Sequence, residues 1–173
     1  MVPFKGKQVK VGDQLGPKAT LVVNVASYCA LTPQYKDLVQ LWDLYHDQGL
    51  QILAMPCNQF GQQEPEADVD VIRKDMKARF NVQFPIFDKI DVNGATTHPL
   101  YAAMKSYEPE LSGYGPKVNW NFEKFLLDAS GTPVRRYRPG VLVTDPTVLD
   151  DVAALIKKGK LSARKKATSV NNY

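Results

Sequence analysis

The sequence predicts an α/β fold, a central mixed sheet flanked by helices, and three observations carry that reading. Leu21-Val22-Val23-Asn24-Val25 and Leu50-Gln51-Ile52-Leu53-Ala54-Met55 are the continuous apolar runs of strands buried on both faces. Between them Tyr35, Leu38, Trp42 and Tyr45 recur at helical spacing, with Leu41 widening the stripe. Strand, helix and strand make a right-handed crossover and a parallel pair. Residues 122–127 and 134–137 flank Gly131-Thr132-Pro133 as an antiparallel hairpin.

The remaining elements follow in order. Residues 1–18 are rich in Lys and Gly with Val9 and Val11 alternating, which predicts a short hairpin or edge strand. Thr32-Pro33 opens the first helix, with Thr32 as its cap and Pro33 at its first position, and Gly49 ends it. Pro56 stops the second strand, and residues 57–65 form a polar loop at its carboxyl end. In an open α/β sheet that edge gathers ligands and catalytic groups. A helix over 68–80 has Val69, Ile72 and Met76 as its inner stripe. Residues 84–87 read as a short strand, 91–94 as a turn, 99–106 as a helix and 107–118 as a Pro/Gly/Tyr loop. The last helix spans 144–158, with Val148, Val152, Leu155 and Ile156 inward.

At 173 residues and 44% hydrophobic content, the chain suits one domain over 1–160, followed by a basic, flexible tail over 161–173. A net charge of +4 is too small and too dispersed to argue for nucleic acid. The tail's lysines suit a solvated helix end, and at most a peripheral contact with anionic lipid. Two cysteines make no disulfide framework and fit a reducing compartment. With no apolar leader and no stretch long enough for a bilayer, a soluble cytoplasmic protein is expected unless a signal has been removed.

Cys29 is the candidate reactive group. It falls between the central strand and a helix start, where free amide donors and the helix dipole favour a thiolate. A buried structural cysteine is the alternative. His46 and His98 lack neighbours at ligand spacing, which argues against zinc. In the 89–100 stretch Lys89 and Leu100 occupy positions where a calcium loop needs acids. There is no Cys-x-x-Cys and no phosphate-binding glycine loop.

Three separated stretches closely resemble the signatures of glutathione peroxidases: Asn24-Val25-Ala26-Ser27-Tyr28-Cys29, Pro56-Cys57-Asn58-Gln59-Phe60-Gly61 with Gln63-Glu64-Pro65, and Trp120-Asn121-Phe122-Glu123-Lys124-Phe125. Phe84-Pro85-Ile86-Phe87 and Asp91-Val92-Asn93-Gly94 resemble the same family's central section. The resemblance implies a thioredoxin-like fold and reduction of hydrogen peroxide and organic or lipid hydroperoxides at Cys29. It also implies that Gln63, Trp120 and Asn121 surround the sulfur. Many animal members carry selenocysteine at that position, so this chain is either a thiol member or one in which cysteine replaces selenocysteine. Neutral donors of those types favour a thiolate and can hold a peroxide oxygen in line.

The resemblance implies no metal and no cofactor, only a thiol co-substrate such as glutathione or a thioredoxin-type protein. Members using thioredoxin-type reductants usually carry a resolving cysteine where this chain has Lys77. Cys57 is the remaining candidate, disfavoured because it directly follows a buried strand. A one-cysteine cycle completed by external thiols is therefore expected. The short 107–118 loop resembles that of monomeric members, which leave the site open to bulky substrates. A peroxide-sensing relay, passing oxidation from Cys29 to a partner, is the alternative function.

Overall fold

The structure, a computed structural model, describes residues 1–108, 111–158 and 161. Its organising element is β3, Ala19–Val25, in which all seven residues are buried. β3 pairs in parallel with β4, Leu50–Pro56, matching Val22 to Leu53 and Val25 to Pro56. On its other side it pairs antiparallel with β5, Lys124–Asp128, which pairs antiparallel with β6, Pro133–Tyr137. The sheet is thus mixed, in the order β4-β3-β5-β6. At the N-terminus β1, Val2–Phe4, and β2, Lys7–Val9, form the small hairpin expected.

Alternation along β3 divides the core in two, because successive side chains point to opposite faces of a strand. Leu21, Val23 and Val25 meet α1, Tyr35–Tyr45, α2, Val69–Phe80, and α4, Pro146–Lys158. They do so through Leu38, Leu41, Ile72, Met76, Val152 and Leu155. Val22 faces the other way with Leu53, Met55 and Phe125, covered by Tyr101 and Met104 of α3, Pro99–Lys105. A strand covered on both faces needs apolar residues at odd and even positions alike, as in Leu21-Val22-Val23, and the buried Thr20 and Asn24 each make a side-chain hydrogen bond.

Two local expectations change. Residues 84–87 form a single bridge rather than a strand: Ile86 pairs with Ala54, which donates to Pro85 O (3.1 Å) and accepts from Phe87 N–H (2.9 Å). Pro85 has no N–H to extend a ladder, so the segment follows the β4 edge for one exchange only. α1 starts at Tyr35, after a 3-10 turn over Thr32–Gln34, and its cap position carries no side-chain bond. The predicted tail lies, apart from Leu161, outside the described residues.

His98 caps α3, its Nδ1 accepting the Leu100 N–H at 3.2 Å, and His46 stacks on Trp42 with ring centroids 3.7 Å apart. Gly16 is required by close packing. A Cβ there would lie 2.2 Å from Ala19 O, 2.7 Å from Gln51 N and 2.9 Å from Gly49 O, all backbone atoms. Gly16→Ala is expected to cost about 2–3 kcal/mol. A melting temperature unchanged within about 2 °C, against roughly 5–10 °C expected, would show that the turn can relax.

Candidate active site

Chain order at the carboxyl ends of β3 and β4 builds the site. β3 hands over to Ala26-Ser27-Tyr28 and then to Cys29, which is 7% exposed beside a 67% exposed Tyr28. A tight turn holds the thiol. The Cys29 N–H donates to Thr32 Oγ1 (3.0 Å), and the Thr32 N–H donates to Cys29 O (2.9 Å). The threonine hydroxyl donates to Ala26 O at 2.9 Å. Thr32 therefore fastens the cysteine turn to the end of β3, which is why it does not cap α1. The Leu31 N–H donates to Cys29 Sγ at 3.4 Å. That amide is a polar donor aimed directly at the sulfur.

The loop after β4 is tied to that turn from the side. The Asn58 carbonyl Oδ1 accepts the Glu64 N–H (2.9 Å) and closes the loop, while Gly61 and Gln62 take the left-handed conformation at φ 62° and 52°. Gln63 O accepts the Tyr28 N–H at 3.1 Å, and Ser27 Oγ donates to Glu64 Oε2 at 2.9 Å. Lys89 Nζ donates to Glu64 O at 2.7 Å. Glu64 is fully buried, and burial pushes its carboxyl above the ordinary range, against the hydrogen bond from Ser27 and the charge of Lys89.

The third segment arrives from before β5. Asn24 O accepts the Phe122 N–H (2.6 Å), and Asn24 Nδ2 donates to Trp120 O (3.0 Å). Phe122 takes φ 63°, a left-handed turn unusual for a bulky residue, and it is fully buried. That turn sends Asn121 inward and Trp120 outward. Asn121 is fully buried and its Nδ2 donates to Gln63 Oε1 at 3.0 Å. With Oε1 so engaged, Gln63 has its Nε2 donors available. Trp120, 40% exposed, packs its ring against Phe60 at 5.7 Å.

The structure thus joins Gln63 to Asn121 directly, and joins both to the cysteine turn through main-chain bonds at Tyr28 and Asn24. Among the described residues, however, the donor on Sγ is the Leu31 amide rather than Gln63, Trp120 or Asn121. A backbone amide leaves no residue-type signature, so only the position two residues after the cysteine could have suggested it. The Ser27–Glu64 bond was also unforeseen, although both residues stand within the motifs.

Cys57 has different surroundings. Its N–H donates to Val25 O (3.0 Å), prolonging the parallel ladder, and its fully buried thiol packs with Leu53, Met55 and Val92. Cys29 belongs to the core on the opposite face. Burial pushes the Cys57 thiol up, and the thiol donates to Gln59 Oε1 at 3.8 Å. Both cysteines are free. Lys77 is exposed on α2.

This architecture has known counterparts. The glutathione peroxidase family model matches residues 1–105. Glutathione peroxidase-like peroxiredoxin 2 of Saccharomyces cerevisiae is 44% identical over 155 residues, covering 89% of this chain and 92% of its own. A probable phospholipid hydroperoxide glutathione peroxidase of Citrus sinensis is 46% identical over 155 residues, covering 88% and 89%. The crystal structure of T. cruzi GPX1 superposes with a TM-score of 0.71 at 35% identity, covering 92% of this chain and 95% of that one. The mixed sheet with helices on both faces is accordingly a thioredoxin-like fold. Motifs, fold and relatives agree, and the chain belongs to the glutathione peroxidase family.

Proposed function

We propose that this thiol-dependent peroxidase works through Cys29. The supporting observation is the Leu31 amide on Sγ, in a turn fastened by Thr32 and tied to the Gln63 loop. The Cys29 thiolate attacks one oxygen of the hydroperoxide and the O–O bond breaks. Sulfur keeps that oxygen as a sulfenic acid, and the leaving alkoxide takes a proton to become alcohol or water. An external thiol then condenses with the sulfenic acid, releasing water and leaving a mixed disulfide. A second thiol exchanges with that disulfide and returns the Cys29 thiolate. Gln63 Nε2 and the Trp120 indole N–H are the donors assigned to the peroxide, and Asn121 sets the orientation of the Gln63 amide.

The reductant is external because Cys57 serves the other core and Lys77 stands at the usual resolving position. Glutathione or a thioredoxin-type protein fits that role, and the protein works as a monomer. Tyr28, next to Cys29 in the chain, and Leu142, which shares a cavity with Ala30 and Leu31, leave apolar surface beside the cysteine turn, which supports acceptance of bulky lipid hydroperoxides. Among the described residues no helix is long and apolar enough to cross a membrane.

Mass spectrometry after one equivalent of peroxide tests this reading. The added oxygen is expected on Cys29, converting to a mixed disulfide with added thiol, while Cys57 stays reduced. A Cys29–Cys57 disulfide would overturn the external-thiol cycle, and oxidation confined to Cys57 would overturn the assignment of the sulfur.

A further inference from the structure

β5 reads Lys124-Phe125-Leu126-Leu127, and its first residue is as deeply buried as the three apolar ones. Lys124 Nζ donates to Gln34 Oε1 (2.7 Å), Pro139 O (3.0 Å) and Val141 O (2.6 Å). All three acceptors are neutral. Burying an ammonium without a carboxylate in contact is costly, and here its bonds converge on one junction. Gln34 completes that junction by donating Nε2 to Pro139 O at 2.8 Å.

The junction leads to the sulfur in three bonds. Lys124 holds the Gln34 side chain, the Gln34 N–H donates to Leu31 O (2.9 Å), and the Leu31 N–H donates to Cys29 Sγ. The other two bonds hold the segment carrying Gly140 and Leu142. Those residues face Ala30, Leu31 and Pro33 across an open cavity of about 500 Å³.

We propose that Lys124 is a positioning residue for the thiol: it locks the turn whose amide donates to Cys29 Sγ and pins the 139–142 segment beside it. The proposal rests on the reading of Cys29 as the reacting sulfur. The charged and titratable groups around Lys124 are Asp37 of α1, Glu123 beside it in sequence, and its cross-strand partner Tyr137 of β6, whose hydroxyl donates to Asp151 of α4. Asp37 and Glu123 favour the ammonium, yet burial outweighs them and brings the amine down to about 7. A neutral amine has two N–H donors for three acceptors, so one bond of the junction is lost as pH rises through that value.

The test is the rate of Cys29 modification by hydrogen peroxide and, separately, by iodoacetamide, from pH 5.5 to 9, with the modified residue identified by mass spectrometry. Wild type is expected to show a descending limb centred near the Lys124 value, superimposed on the rise from thiol ionisation. Lys124→Met is expected to react about tenfold more slowly at pH 6 and to lack that limb. Gln34→Glu places a carboxylate beside the ammonium and should move the limb up by at least about one pH unit. That second variant decides the matter if Lys124→Met does not fold. A wild-type profile without the limb, or one unmoved in the folded variants, overturns the proposal. Peroxide oxidation found elsewhere than Cys29 would overturn the underlying reading instead, while the iodoacetamide profile still measures the hold on the sulfur.

Discussion

Replacing Cys29 by serine is expected to lower kcat/KM for every hydroperoxide by at least about a thousandfold, because an un-ionised hydroxyl cannot replace a thiolate in breaking the O–O bond. The fold should survive. The turn around residue 29 is held by its N–H and C=O, which bond Thr32, and a serine keeps both. What changes is the atom that receives the Leu31 amide. Stability within about 1 kcal/mol of wild type, read by urea unfolding, would separate lost chemistry from lost structure. Cys57→Ser is the control, since its thiol lies in the core on the other face of the sheet. Turnover retained in Cys29→Ser, or abolished in a folded Cys57→Ser, would transfer the reaction to another sulfur.

Much of this arrangement was readable from residue order. Leu21–Val25 announces a strand covered on both faces because apolar residues occupy odd and even positions alike, and the helical stripe of Tyr35, Leu38 and Trp42 fixes the element that covers it. Strand, helix, strand then puts Cys29 and the 57–65 loop at one edge. The misreadings share a cause: which hydrogen bonds form, near or far along the chain, is not disclosed by residue type. Residues 84–87 are apolar enough for a strand, but the missing N–H of Pro85 limits them to one exchange with Ala54. Thr32 has the right identity for a helix cap, yet the main chain of Cys29 and Ala26 claims its hydroxyl. Gln63 and Asn121 lie 58 residues apart, and no local pattern pairs them. The motif resemblance brought them together. It did not show that Asn121 bonds Gln63 rather than the sulfur. Lys124 and Arg136 fall within the predicted hairpin, and period-two patterning does not reveal that a charged side chain there is buried and satisfied by loops folded over the sheet.

Arg136 carries the other large expected effect. Its guanidinium is fully buried over the Phe125 ring and pairs with the buried carboxylates of Glu123 and Glu108. It also donates to Gly115 O (2.6 Å) and Lys117 O (2.7 Å), and Glu123 Oε2 accepts the Asn119 N–H at 2.7 Å. Every one of those main-chain contacts falls within the five residues before Trp120. The ion pair therefore sets how the chain enters the Trp120-Asn121 turn, and through Asn121 how Gln63 is presented. Arg136→Met would leave two buried carboxylates without their cation and two carbonyls without donors, at an expected cost of about 3–5 kcal/mol. In the fraction that stays folded, kcat/KM should fall about tenfold or more, since a small misplacement of donor groups is enough. Adding Glu123→Gln should restore at least half of the lost stability: the amide removes one stranded charge while its oxygen can still accept from Asn119. Activity should not return with it, because Gly115 and Lys117 remain unheld. Urea unfolding of both single variants and the double, with peroxidase assays alongside, separates the two effects. A loss under about 1 kcal/mol in Arg136→Met, or full activity in the double variant, would mean that the turn holds its shape without the guanidinium.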